Sequence, residues 1–197
     1  MNITTKIIIT DTNIITDLDN ANILEEFIDI DNVYISDMVK NDEINSKTGN
    51  VKLINKFKVI SATANQLIEV NKLSYTEKKL STYDLLNFVI ARDNNCILAT
   101  GDNRLKKYSE NNGIEVLRTL KIIKLMKDYN IISCRKAINA CNLLKQCPST
   151  RIPEIYINNL INELEKDSIT VWIFFIFYID KINSSTYIYS LTTLKHL

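Results

Sequence analysis

The chain is 197 residues long, of which 46% are hydrophobic and 24% charged, with 3 Gly and 2 Pro. That excludes disordered and collagen-like classes and leaves a globular chain with enough apolar residues for a full core. The net charge is +1, from 24 Lys and Arg against 23 Asp and Glu, so no global field draws the protein to nucleic acid or to an anionic membrane. The four cysteines, Cys96, Cys134, Cys141 and Cys147, show no C-x-x-C spacing, and the single histidine, His196, is next to the last residue. A zinc site or a Cys/His nucleophile pair is therefore not expected.

The opening MNITTKIIITDTN lacks a basic segment followed by a sustained apolar run, so the expected setting is a reducing cytoplasm with free thiols. Charge is unevenly distributed. Residues 1 to 43 hold ten acids against two bases, and residues 104 to 145 hold ten bases against three acids. A basic segment of this kind points mildly to an anionic partner, although Lys-rich helix faces are commonly just solvated.

Taken in chain order, apolar runs bounded by polar turns predict buried strands at Ile7–Thr10, Val33–Ile35, Phe57–Ile60, Cys96–Thr100 and Glu115–Leu117. Helical spacing or cap signals fall between them, over Asn22–Ile28, Asp37–Ile44, Ala62–Leu73, Thr82–Asp93 and Gly101–Asn111. This alternation implies an α/β fold with a parallel sheet covered on both faces. After Leu117 only helices are predicted: Leu120–Tyr129, Cys134–Gln146 and Pro153–Lys166. The domain is expected to occupy residues 1–167. The remainder, 168–197, is an aromatic extension whose uncharged run, Ser168–Ile179, has 12 residues, against the roughly 20 that a membrane-spanning helix needs.

The chain has no Gly-rich phosphate loop, no G-x-S-x-G and no H-E-x-x-H. What remains is a set of acids at strand ends and helix starts: Asp11, Glu43, Asp84 and Asp102. Ligands of open parallel sheets bind outside the carboxyl ends of the strands, and Asp11 and Asp102 sit at two such ends. If the first and fourth strands are neighbours, these carboxylates repel unless protonated or bridged by a cation, and a hard divalent metal answers that chemistry. Each acid also has a purely structural role open to it. Asp11 can open a turn or cap a short helix, Ser81-Thr82-Tyr83-Asp84 matches a capping box, Asp102 can cap the helix after it, and Glu43 can be a solvated helix residue.

The segments IIITDTNIITDL, VYISDMVKNDEI, LSTYDLLNFVIARDNNCILATGDNRL and GIEVLRTL follow one another in an order and spacing that resemble the PIN-domain family, metal-dependent nucleases that include the VapC toxins. The resemblance covers about residues 5 to 166. It implies a three-layer sandwich around a five-stranded parallel sheet, and cleavage of single-stranded RNA with Mg²⁺ or Mn²⁺. By motif it implies a catalytic and metal-binding quartet of Asp11, Glu43, Asp84 and Asp102, with Asp37 as the substitute second acid and Asn13, Thr100 and Asn103 as polar supports. An antitoxin protein and a second copy of the chain are the partners it implies. Arg104, Lys106 and Lys107, just beyond Asp102, are the bases expected to hold RNA. The chain departs from the family pattern in its longer stretch from Asn45 to Leu73 and in the aromatic tail. A haloacid-dehalogenase site would need an acid where Asn13 stands, and a receiver domain would need an Asp after FKVI, where the chain reads Ser61-Ala62-Thr63.

Overall fold

The computed structural model describes residues 2–44 and 55–167, so the tail from 168 to 197 lies outside the described residues. Five parallel strands form one sheet: β1 (Ile8–Thr10), β2 (Val33–Ser36), β3 (Lys58–Ile60), β4 (Ile97–Ala99) and β5 (Val116–Leu117), in the order β3-β2-β1-β4-β5. The chain runs outward from β1 to β3, returns to the other side of β1, and continues to β5. The strand order therefore reverses between β1 and β4, the position where open α/β sheets leave a crevice at their carboxyl edge.

Side chains alternate across the sheet even though both faces are buried. Ile8, Val33, Ile35, Ile97 and Ala99 enter one core, while Ile9, Tyr34 and Leu98 enter the other. The first core is closed by α1 (Thr12–Asn20), α2 (Leu24–Ile28), α6 (Thr119–Asp128), α7 (Cys134–Gln146) and a final helix, α8, over 154–167. The second is closed by α3 (Ala64–Thr76), α4 (Thr82–Asp93) and α5 (Asn103–Asn111). The helices after β5 all join the first core, which explains why this layer is the thicker one.

Cap chemistry sets the observed boundaries. Thr63 and Gln66 form a reciprocal capping box, so α3 begins at Ala64 and not at Ala62. Asp102 accepts from the backbone N–H groups of Arg104 and Leu105, so α5 begins at Asn103, later than periodicity suggests. Asp11 caps α1, a full nine-residue helix over a stretch that the sequence marks only as a turn or short helix. The helix predicted over Asn22–Ile28 shortens to Leu24–Ile28. After β2 the chain winds into a π-helical segment, Val39–Ile44, where an ordinary helix was expected. Among the described residues no helix is long and apolar enough to cross a membrane.

Candidate active site

Register brings the first two acids together. Thr10 pairs with Ala99 across β1 and β4, so the next residues, Asp11 and Thr100, leave the sheet side by side. The Asp11 N–H still donates to the Ala99 carbonyl at 3.0 Å. Thr100 Oγ1 donates to Asp11 Oδ2 at 2.5 Å and accepts from the Asp102 N–H at 3.0 Å. One buried hydroxyl thus ties Asp11 to the Asp102 turn.

Asp11 is 4% exposed and heavily committed. Its Oδ1 accepts from the Ile14 N–H at 2.9 Å, and its Oδ2 also accepts from Asn13 Nδ2 at 3.3 Å. Burial nevertheless raises its pKa to about 6, opposed by these hydrogen bonds and reinforced by the nearby Asp84 charge. Asp84 therefore faces Asp11 electrostatically from the first turn of α4, where its Oδ2 also accepts from the Ser81 N–H at 2.9 Å. Asp102 spends only Oδ1 on its helix cap, and its Oδ2 accepts no hydrogen bond from the described residues.

Asp84 thus acts on Asp11 through its charge, Asp102 is joined to Asp11 through Thr100, and each of the three acids is also a helix cap or capping-box residue. The structural and chemical readings of these acids coexist because a carboxylate has two oxygens and a cap needs only one. Glu43 lies in the π-helical segment after β2, and its side chain lies outside the described residues. Asp37, at the end of β2, turns its Oδ1 onto the Met38 N–H at 2.8 Å. Among the described residues no three His, Cys, Asp or Glu side chains form a group that could hold a metal ion. The donor types are nonetheless hard oxygens, and a cation would relieve the cost of ionising buried Asp11 beside Asp84.

Asn13 and Thr100 bond to Asp11, and Asn103 Oδ1 accepts from Arg118 Nη2 at 3.0 Å. A Cβ at Gly101 would stand 2.8 Å from the Asn13 Cβ, so the turn between Thr100 and Asp102 closes against Asn13 only with glycine. Arg104 and Lys107 are exposed on α5, while Lys106 pairs with Glu110 at 3.8 Å.

Four residues were not singled out from the sequence: Arg118, Thr119, Asp17 and Asn87. Arg118 follows β5 as Asp11 follows β1, so the strand-end rule could have found it; its Nη1 donates to the Asp102 carbonyl at 3.2 Å. Thr119 Oγ1 donates to Asp17 Oδ2 at 2.6 Å, and burial raises the Asp17 pKa against the effects of Thr119, Arg118 and Arg151. Asn87 interrupts the apolar run LLNFVIA one turn after Asp84. It is 1% exposed, and its Oδ1 has no hydrogen-bond partner among the described residues.

This fold and edge of acids define a PIN-type α/β protein. The PIN-domain family model matches residues 7–166, and the chain belongs to that family, whose members are generally nucleases. Among solved structures, PAE2754 from Pyrobaculum aerophilum is similar at 17% identity and a TM-score of 0.45, covering 61% of this chain and 89% of that one. No curated protein matches.

Proposed function

We propose that the protein is a metal-dependent endoribonuclease that cleaves single-stranded RNA. The observation that supports this reading is buried Asp11 at the strand-order reversal, within reach of the Asp84 charge and joined through Thr100 to the Asp102 turn. Mg²⁺ or Mn²⁺ would be held by these three carboxylates together with Glu43. Such a cation makes a bound water more acidic and offsets charge that develops on the phosphate. The chain's own part is orientation. Thr100 and Asn13 fix the Asp11 carboxylate, and the α5 cap fixes Asp102 while leaving Oδ2 for another partner. Arg104, Lys106 and Lys107 supply positive charge on the first turns of α5.

The test is cleavage of an end-labelled single-stranded RNA by the full chain in Mg²⁺ or Mn²⁺, with chelator and with Asp11→Asn. Cleavage lost in both supports the assignment, and cleavage surviving both overturns it. Within this activity, the toxin of a toxin–antitoxin pair is the finer reading. Expression of the wild type should then arrest growth where Asp11→Asn does not, and an antitoxin-like product from an adjoining reading frame should relieve it. A second reading, a PIN-fold RNA-binding protein or scaffold without turnover, draws on the capping duties of all three described acids. It requires RNA binding that metal and Asp11→Asn leave unchanged, with no cleavage.

A further inference from the structure

An anionic strand approaching three carboxylates needs positive charge fixed close to them, and Lys or Arg side chains already paired with acids supply little of it. Five of the described bases on the later helices are paired: Lys106 with Glu110, Lys124 with Glu163, Lys127 with Asp167, Lys136 with Glu26 and Lys145 with Glu154. Arg92 is held between Glu69 and Asp93. Arg118 differs in both respects. It leaves the carboxyl end of β5, beside the Asp102 turn, and among the described residues it forms no ion pair within 4 Å. Its two recorded hydrogen bonds go to neutral oxygens, the Asp102 carbonyl and Asn103 Oδ1. Asp17, whose carboxyl feels its charge, already has Oδ2 engaged by Thr119.

A guanidinium carries five N–H donors in a planar fork. Two bonds to neutral acceptors fix its plane without cancelling its charge, and the remaining donors stay available. Arg118 is also half-buried, where a charge–phosphate hydrogen bond is screened less than on an open helix face. Arg104 and Lys107, by contrast, are exposed.

Building on the ribonuclease reading, we propose that Arg118 binds a backbone phosphate of the RNA strand beside the acidic site, held for that task by the Asp102 carbonyl and the Asn103 side chain. It is a positioning residue. It sets where the strand lies relative to Asp102, and Arg104, Lys106 and Lys107 add diffuse attraction further along α5.

The experiment measures binding of a fluorescent single-stranded RNA to the full chain in an Asp11→Asn background in Mg²⁺, as a function of salt. Arg118→Gln should weaken binding about tenfold. It should also reduce the log–log salt slope by about 0.7, the value for one phosphate contact on a single strand. Arg118→Lys should keep the slope but bind several-fold more weakly, because the ammonium cannot hold the turn and the phosphate in one plane. A merely structural arginine would lower the melting temperature in both variants and leave the slope unchanged, which overturns the proposal. If Arg118→Gln does not fold, Arg118→Lys decides: weaker binding supports the assignment and wild-type affinity overturns it. Cleavage of RNA by the wild-type protein separates the two levels. Cleavage with an unmoved slope removes Arg118 alone, whereas neither cleavage nor binding removes the ribonuclease reading and this assignment with it.

Discussion

The two ends of α4 handle charge in opposite ways. At its C-terminal end, Arg92 donates to both oxygens of Glu69 at 2.6 and 2.8 Å and to Asp93 at 2.7 Å, and Gln66 Nε2 donates to Asp93 at 3.1 Å. The guanidinium beside Glu69 lowers that carboxyl's pKa, as expected for a satisfied ion pair. At the N-terminal end, Asp84 stands within electrostatic reach of Asp11, whose pKa burial has raised to about 6. The same helix thus carries an ion-pair network that fastens α3 to α4 and an acidic edge where burial, reinforced by the Asp84 charge, disfavours ionisation of Asp11. A carboxyl pKa raised in this way is characteristic of functional sites.

The largest effect expected from breaking this contrast is at the acidic end. Asp11→Asn should reduce RNA cleavage at least about a hundredfold. Asp102→Asn should do the same while retaining the α5 cap, since Asn caps as well as Asp. A single-turnover rate with labelled RNA, alongside a circular-dichroism melt, separates lost chemistry from lost folding.

The next effect is on stability. The folded Asp11 carboxyl keeps its proton up to about pH 6, whereas the unfolded chain releases it near the ordinary value of 3.8. Between those limits the folded state binds more protons, so this group's contribution to stability falls as pH rises from about 4 to about 6 and stays low above that. Asp11→Asn should therefore stabilise the metal-free protein by about 1–3 kcal/mol at pH 8, a gain that vanishes below about pH 4. Thermal melts in chelator at both pH values check the sign.

At the other end the expectation reverses. Arg92→Met leaves Glu69 and Asp93 without their cation and should lower the melting temperature by about 2–4 °C, corresponding to about 1 kcal/mol for a partly exposed pair. RNA cleavage at 25 °C should stay within about twofold, and a large loss of rate would show that the two ends are coupled.

The smallest effect should come from the middle of the helix. Asn87→Leu keeps the branched shape and removes a buried oxygen that has no partner among the described residues, so it should raise stability by up to about 1 kcal/mol. A lowered melting temperature would mean that the amide has a partner in solution.

The sequence by itself determined the alternation of strands and helices, the parallel sheet and the positions of Asp11 and Asp102 at strand ends. These depend on local signals, apolar runs of strand length and cap residues, which act over a few positions. Ser81 and Asp84 were likewise legible as a capping box, because its two hydrogen bonds span only three residues. Tertiary structure alone decided that β4 lies beside β1, that register sets Thr100 against Asp11 across 89 positions of sequence, and that Arg118 reaches back to the Asp102 turn. It also decided the charge state of the site. The raised Asp11 pKa comes from burial beneath helices remote in sequence, and desolvation depends on everything packed around a group, which no local pattern records.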